Sequence, residues 1–200
     1  MAGKIKLEGE NAEKAEALMK VVSEVLSKHH VRFGLDGGTL LGIVREQRLL
    51  PWDNDIDLVA HGEDSPRIKE AGAELKEMGY RVKTAKFKET YGPMKKRKLR
   101  IMKVLSGLVC VDVIVKYSDE DFFYWVVSKK QVKKRVPRHF YETFDEIEFN
   151  GVTYPVPANV REYLSVRYGD WETVVKDYNF KKDDVAIIKR APQTSENETT

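Results

Sequence analysis

Apolar residues in the first part of the chain recur at helical spacing and then give way to short strand-like runs. Between residues 11 and 30 they repeat every three or four positions with charged residues between them, which predicts a scaffold helix. Val22 lies on the apolar face of that helix, and we expect it in the core. An apolar run at residues 31–35 predicts a strand, and the Gly-Gly-Thr after it predicts a tight turn and a helix start.

The turn at Gly37, Gly38 and Thr39 is followed along the chain by a pair of acids, Asp55 and Asp57. A strand-to-helix turn presents backbone N–H groups and the positive end of a helix dipole, and both suit a phosphate group. The two acids begin an apolar strand at i and i+2, so their carboxylates point to the same side. Adjacent carboxylates repel each other unless a cation lies between them, and Mg²⁺ or Mn²⁺ favours such oxygen ligands. The pattern predicts metal-dependent phosphoryl or nucleotidyl transfer.

A third acid, Asp112, interrupts the apolar strand that the pattern predicts for residues 107–117. A carboxylate in a buried strand is costly without a partner, so a specific partner is expected. We expect Asp112 to lie beside the acid pair, either as a third metal ligand or as the base that accepts a proton. A buried salt bridge from Asp112 to Arg100 or Lys103 is the alternative.

The C-terminal part of the chain gives weaker signals. Residues 119–130 are rich in aromatic side chains and suit either a helix or a strand. Asn150-Gly151 between alternating residues is a hairpin signal, and residues 160–168 have the spacing of a short helix.

Together these elements predict an α/β fold with a small mixed sheet that carries the three carboxylates and is backed by helices. The length suits a single domain over residues 1–192. Its expected parts are the scaffold helix at 11–30, a catalytic core at 31–117 and a C-terminal helical extension at 118–192, followed by a disordered tail at 193–200.

Composition argues against several classes of function. The 200 residues are 42% hydrophobic and 34% charged, with a formal net charge of +3, so no strong general field attracts nucleic acid. Basic runs at 95–100 and 129–138 lack an aromatic stacking module, and each is either a solvated face or a grip for a diphosphate or an anionic acceptor. The chain has no apolar run of roughly 20 residues, no signal-peptide pattern and a single cysteine, Cys110. We expect a cytoplasmic protein without a membrane span or disulfide.

Two motifs together resemble the signature of the LicD/fukutin family. The first is Asp-Gly-Gly-Thr-Leu-Leu-Gly from Asp36 to Gly42, and the second is Pro-Trp-Asp-Asn-Asp-Ile-Asp from Pro51 to Asp57, with Arg45 between them. The stretch at 155–171, with Pro-Val-Pro and Leu-x-x-x-Tyr-Gly-Asp-Trp, is also similar to the family. That family lies within the nucleotidyltransferase superfamily of DNA-polymerase-β type, so the resemblance implies its fold.

The resemblance also suggests roles for individual residues near the acids. It implies that Gly37–Thr39 contact phosphate, with Asp55, Asp57 and Asp112 as the catalytic metal ligands. The placement of Arg45 after the glycine turn favours a phosphate partner for it as well, and a surface position is the alternative. Two further residues have open roles at this stage. Trp52 either stacks on a base or sugar or packs within the protein, and Asp53 binds metal, ribose or a loop backbone. Asp36 is expected either to act in the site or to hold the turn through backbone N–H groups.

The function implied by the resemblance is a metal-dependent phosphotransferase. It would move phosphocholine or an alditol phosphate from a cytidine-diphosphate (CDP) donor to a hydroxyl of a glycan or glycolipid. One alternative is a nucleotidyltransferase that moves NMP from an NTP to a sugar, protein or small molecule. Another is a glycan- or nucleotide-binding module without turnover, against which the presence of all three acids argues. An RNA-binding protein would depend steeply on salt, which the modest charge does not favour.

Overall fold

A mixed β-sheet flanked by helices makes up the part of the chain that the structure, a computed structural model, describes: residues 5–127, 132–175 and 178–188. The helices of this part are α1 (Glu10–Lys28), α2 (Gly37–Glu46), α3 (Ser65–Glu77) and α4 (Val160–Tyr168). Its strands are β1 (Phe33–Leu35), β2 (Ile56–His61), β3 (Arg81–Lys86), β4 (Leu99–Ser106), β5 (Val109–Ser118), β6 (Phe122–Val127), β7 (Val132–Pro137), β8 (Phe144–Phe149) and β9 (Val152–Pro157).

The sheet is built around two parallel strands, β2 and β5. Its order is β1–β2–β5–β4–β3, and apart from the parallel pair the neighbouring strands are antiparallel. The end of β5 also pairs with β6, which pairs with β7. Because β2 and β5 are interior strands, their residues are apolar almost throughout, and the acids of the candidate site lie at their starts.

Helices α1 and α3 pack against each other and cover the sheet, while α2 packs on β2. The apolar face of α1 is buried as predicted, and Val22 and Leu26 are fully enclosed. The helix ends at Lys28, slightly earlier than expected, because His30 takes a left-handed conformation with φ 53°.

The α/β class and the mixed sheet are confirmed, but the C-terminal part contains more strand than the predicted helical extension. The undecided aromatic segment forms β6, and the hairpin signal gives β8 and β9, so α4 is the helix found there among the described residues. Aromatic and β-branched residues fit paired strands well, and tertiary pairing decides between the two options. The hairpin packs on β1: a Cβ atom at Gly34 would lie 2.8 Å from the Phe144 ring. The predicted tail at 193–200 lies outside the described residues.

The cysteine and the helices can be compared with what the composition indicated. Cys110 is buried in β5, and its thiol is free. Among residues 5–127, 132–175 and 178–188, no helix has both the length and the apolar character that crossing a bilayer requires.

Residues 95–98 of the first basic run lie away from the acids. Lys95, Lys96, Arg97 and Lys98 are exposed in the turn before β4. Tyr117, near the far end of β5, donates a 2.9 Å hydrogen bond to the carbonyl of Leu99. This end of the sheet is opposite the starts of β2 and β5, so the run is not placed to hold a diphosphate there. Of the second run, residues 129–131 lie outside the described part.

Val22→Asp is expected to unfold the protein or to lower its free energy of unfolding by at least ~4 kcal/mol, because it places an unpaired charge in the core. Ala17→Asp is the matched control, since Ala17 is exposed on the same helix. Thermal and urea unfolding followed by circular dichroism measures both variants. Similar melting temperatures for the two would show that this face of α1 is not core.

Candidate active site

The pairing of β2 with β5 brings the predicted acids together. Asp57 on β2 is the register partner of Asp112 on β5, so both side chains lie on the same face of the sheet. Asp55 lies just before β2, two residues from Asp57. Asp112 is buried, with 6% of its surface exposed, while Asp55 and Asp57 are partly exposed at the strand start. The acids therefore form a group at the edge of the sheet where solvent and a substrate can enter.

Asp112 also makes the ion pair that the sequence left as an alternative. Lys103 on β4 is its register partner and donates a short hydrogen bond from Nζ to Oδ2. The thiol of Cys110 donates to the other oxygen, Oδ1, at 3.1 Å. Arg100 instead reaches the carbonyl of Val126, at 3.5 Å. The third acid thus lies beside the pair, as predicted, but both of its oxygens are engaged by groups of the protein.

The electrostatics of this group favour the binding of a cation. Burial, and then the negative charges of Asp112 and Asp53, raise the pKa of Asp55 to about 7. Burial and the neighbouring carboxylates, Asp55 first, also raise the pKa of Asp57 well above its usual value. Burial lowers the pKa of Lys103, but the charges of Asp112 and Asp55 outweigh it and the net shift is upward. Four carboxylates thus share one nearby ammonium group, which leaves an excess of negative charge.

The glycine turn lies directly against these carboxylates. Gly37 has φ 58°, and a Cβ atom there would overlap Oδ2 of Asp57. A Cβ atom at Gly38 would likewise overlap Oδ2 of Asp53. Only glycine allows both acids to approach the start of α2 so closely. Within the described residues the N–H groups of Gly37–Thr39 have no hydrogen-bond acceptor, as is usual at a helix start that is open to an anion.

Thr39 has a supporting contact in this turn. Its Oγ1 accepts a 2.9 Å hydrogen bond from the backbone N–H of Asp57, and its side chain is buried. The hydroxyl therefore fixes the start of β2 against α2, and phosphate contact by Thr39 remains a prediction for its backbone N–H. Trp52 is 48% exposed next to the acids, so its ring is accessible to a ligand.

Arg45 is not placed to contact a phosphate at the turn. It lies in the last turn of α2, about 12 Å along the helix from Gly37. Its guanidinium group binds the carboxylate of Glu46 at 2.6 Å and the carbonyl of Trp171 at 3.2 Å. Arg45 follows the turn closely in sequence, but the length of α2 separates the two in space, so a phosphate partner for Arg45 stays a prediction. The residue instead fastens α2 to the segment after α4.

Asp36 does not hold the turn through its side chain, because its carboxylate is bound elsewhere. It forms ion pairs with Lys116 at 2.7 Å and with Arg167 at 2.9 Å, and it accepts a short hydrogen bond from Tyr163. Burial would raise the pKa of Asp36, but the two cations outweigh it and hold the pKa well below its usual range. Arg167 also binds Asp184 at 3.0 Å.

This buried cluster of Asp36, Lys116, Tyr163, Arg167 and Asp184 was missed by the sequence reasoning. Lys116 carries the signal that could have revealed it, since a lysine within the apolar strand β5 needs a partner. Burial lowers its pKa to about 8, against the opposing effect of Asp36. The cluster joins the residue before the glycine turn to α4 and to the segment at 178–188.

The donor set fits a magnesium ion in part. Among the described residues no group of three His, Cys, Asp or Glu side chains is arranged to hold a metal ion. A Mg²⁺ ion, however, is commonly held by one or two carboxylates and completed by water and substrate phosphate. Asp55 and Asp57 suit that mode, because they are hard oxygen ligands with an excess of negative charge around them.

Comparison with known families identifies the glycine turn and the acids as parts of one domain. A sequence model described as LicD/FKTN/FKRP, nucleotidyltransferase domain, matches residues 30–159. The chain belongs to this family. The matched region of this LicD-family chain runs from the start of β1 to the end of β9, so it includes the acids and Lys103 and ends before α4.

Individual relatives are similar at moderate identity. An uncharacterized protein of Rickettsia prowazekii is 23% identical over 84% of this chain and 59% of its own length. Human ribitol 5-phosphate transferase FKRP is 28% identical over 75% of this chain and 30% of its own length. The lipopolysaccharide cholinephosphotransferase LicD of Haemophilus influenzae is 31% identical over 29% of this chain and 22% of its own length. This LicD-family chain therefore spans less than two thirds of each relative.

Gly37→Ala tests the close approach between the turn and Asp57 in this LicD-family site. The left-handed conformation costs an alanine ~1 kcal/mol, and the overlap with the carboxylate adds to that. Gly92→Ala is the control, because Gly92 has φ 52° and open space around its Cβ position. Urea unfolding should show a loss for Gly37→Ala that exceeds the control by ~1 kcal/mol. Equal losses would mean that the turn does not press on Asp57.

Proposed function

We propose that this LicD-family chain is a metal-dependent phosphotransferase that moves a phospho-alcohol from a CDP-linked donor to a glycan hydroxyl. The observation that carries the proposal is the close approach of the glycine turn at the start of α2 to the carboxylates of Asp57 and Asp53, beside Asp55. The named activities of the human and Haemophilus relatives support ribitol phosphate or phosphocholine as the group transferred.

Each part of the site has a role in this proposal. Asp55 and Asp57 would hold Mg²⁺ or Mn²⁺, and the bound metal would neutralise charge on the diphosphate of the donor. The free N–H groups of Gly37–Thr39 would bind phosphate oxygens, aided by the dipole of α2. Trp52 offers an exposed ring to the base or sugar of the donor. The site therefore stabilises the transferred group mainly by position and charge.

The proposed transfer breaks the anhydride link between the two phosphates of the donor and forms a phosphodiester link to the acceptor. The acceptor oxygen forms a bond to phosphorus, the bond from phosphorus to the CMP oxygen breaks, and CMP leaves with that electron pair. The proton of the acceptor hydroxyl passes to a carboxylate of the acid group.

Nucleotidyl transfer from an NTP is the second candidate, because the description of the matching family names a nucleotidyltransferase domain. The same acids and the same turn would serve that reaction. The two candidates differ in the nucleotide that the site binds, a CDP conjugate or an NTP.

Thermal-shift measurements with a panel of nucleotides separate the candidates. The panel contains CDP-choline, CDP-ribitol, CDP-glycerol, CTP, ATP and GTP, each with Mg²⁺ and with EDTA. We expect one CDP conjugate to stabilise the protein in a metal-dependent way. At a ligand concentration of 100 times Kd, binding should raise the free energy of unfolding by ~3 kcal/mol. Stabilisation by an NTP alone would favour nucleotidyl transfer. Stabilisation that is the same with Mg²⁺ and with EDTA, together with a lack of turnover, would favour a binding module. If no nucleotide of the panel stabilises the protein, both enzyme candidates are contradicted.

A further inference from the structure

A lysine lies in the same row of the sheet as the acids. Asp57 on β2 pairs with Asp112 on β5, and Asp112 pairs with Lys103 on β4. Residues that are directly opposite each other across neighbouring strands point to the same face. The ammonium group of Lys103 therefore belongs to the same face of the sheet as the candidate metal ligands.

Lys103 forms an ion pair with Asp112, the carboxylate to which a second metal ion would bind. Its Nζ donates to Oδ2, while Cys110 donates to Oδ1 at 3.1 Å. A second divalent ion on Asp112 would be repelled by the ammonium group that already lies against this carboxylate.

The ammonium group of Lys103 has capacity left for a ligand. An ammonium group has three N–H donors, and among the described residues Asp112 is its one hydrogen-bond acceptor. The Lys103 side chain is 35% exposed, whereas that of Asp112 is 9% exposed. The lysine is therefore held by Asp112 and remains partly accessible to a ligand from solvent.

The charges agree with one divalent ion rather than two. Asp53, Asp55, Asp57 and Asp112 contribute four negative charges when ionised, and Lys103 neutralises one of them. One Mg²⁺ would neutralise two more and leave a single negative charge, while two ions without the lysine would fully neutralise the acids. With the lysine present, a second divalent ion would make this group positive by one charge.

We propose that the site takes a single divalent cation on Asp55 and Asp57, and that Lys103 occupies the place of a second one. In this role Lys103 is a catalytic residue that contacts the phosphate being transferred, and Asp112 is the residue that positions it. The inference rests on the proposed function, since it assumes the metal on the acid pair. In this proposal Asp112 positions Lys103 and is not a ligand of the metal ion.

The test counts bound metal ions without any substrate. Metal-stripped protein at pH 7.5 is titrated with MnCl₂, and free Mn²⁺ is measured by electron paramagnetic resonance. We expect one Mn²⁺ per chain in the wild type and in Lys103→Arg, which keeps the charge. We expect two in Lys103→Met, because the substitution frees an oxygen of Asp112. Lys83→Met is the matched control with one, since Lys83 is exposed and is the register partner of Lys103 on β3.

Each outcome has a distinct meaning. Two Mn²⁺ ions in the wild type, or one in a folded Lys103→Met, would overturn the role of Lys103 and leave the metal-dependent proposal standing. No bound Mn²⁺ in the wild type would contradict the metal proposal itself. If Lys103→Met does not fold, as judged by circular dichroism, the wild-type count and Lys103→Arg still decide, because two ions in either of them exclude the inference.

A kinetic readout complements the count once a donor has been found by thermal shift. With 0.1 mM Mn²⁺, kcat of Lys103→Met should fall about 10–100-fold while the KM of the acceptor changes little. Raising Mn²⁺ to 10 mM should recover most of this loss, because the second ion then replaces the lysine. If added Mn²⁺ does not restore kcat in Lys103→Met, a second metal ion does not replace the lysine, and the proposed role of Lys103 is contradicted.

Discussion

Asp57→Asn is expected to reduce phosphotransfer by about 10³-fold or more while it stabilises the metal-free protein. The catalytic loss follows from the removal of a charged ligand of the proposed metal, whose stabilisation of the transition state amounts to several kcal/mol. The gain in stability follows from the local charge, since the carboxylate lies against Asp55, Asp53 and Asp112 and its pKa is raised well above the usual value. An amide of the same shape removes that repulsion.

The stabilisation should depend on pH in a defined direction. The pKa of Asp55 is raised to about 7 in the folded state, against a reference value of 3.8. Between these two values the folded state binds more protons than the unfolded state, so the free energy of unfolding falls as the pH rises. Asp57→Asn removes one negative neighbour of Asp55, and its free energy of unfolding should fall less over that range.

Thermal unfolding in EDTA between pH 4.5 and pH 7.5 measures this difference. At pH 7.5 we expect the melting temperature of Asp57→Asn to exceed that of the wild type by roughly 4–8 °C, for ~2 kcal/mol in a chain of this size. Addition of Mg²⁺ should raise the wild-type value and leave the variant unchanged. Asp121→Asn is the control, because Asp121 is an exposed acid in the turn before β6. A variant that is less stable than the wild type in EDTA would show that the acids do not repel each other.

Arg167→Met should destabilise the protein by about 3–5 kcal/mol, which corresponds to roughly 6–20 °C in melting temperature. Arg167 is buried and donates to Asp36 at 2.9 Å, to Asp184 at 3.0 Å and to Tyr163 at 2.6 Å. Its removal leaves Asp36 and Asp184 with one cation each, Lys116 and Lys134 respectively. The protein loses stability because these two buried carboxylates are then only partly neutralised.

Activity of Arg167→Met should also fall, because Asp36 directly precedes the glycine turn and its N–H donates to the carbonyl of Asp57 at 3.0 Å. The control is Arg161→Met on the same helix. Arg161 is exposed, with 69% of its side chain accessible, and it pairs with the exposed Glu172, so we expect a loss below about 1 kcal/mol. Urea unfolding of both variants checks the prediction. Comparable losses would mean that the buried cluster does not hold the turn.

Local sequence patterns were enough to find the core elements and most of the candidate chemistry. The spacing of apolar residues gave α1 and the buried position of Val22, because a helix repeats every 3.6 residues. The acids at i and i+2 on a strand predicted the shared side of Asp55 and Asp57. Asp112 was expected beside them because a lone carboxylate in an apolar strand needs a partner, and the register of β2 and β5 places it there.

Other features depended on pairings that no local pattern contains. Residues 122–127 of the aromatic segment form a strand because β5 and β7 are available as neighbours of β6. Arg45 looked suited to phosphate from its distance along the chain, but the length of α2 carries it away from the turn and toward Trp171.

The sequence by itself determined that a glycine turn and three acids belong to one site of the LicD family, because spacing along a strand or turn fixes direction locally. Only the tertiary structure decided which charges meet. Asp112 faces Lys103 because of the β4–β5 register. Asp36 binds Arg167, which lies 131 residues later in the sequence, on α4. Strand register and helix packing depend on the whole core. A shift of one residue in the β4–β5 register would turn Lys103 to the sheet face opposite Asp112.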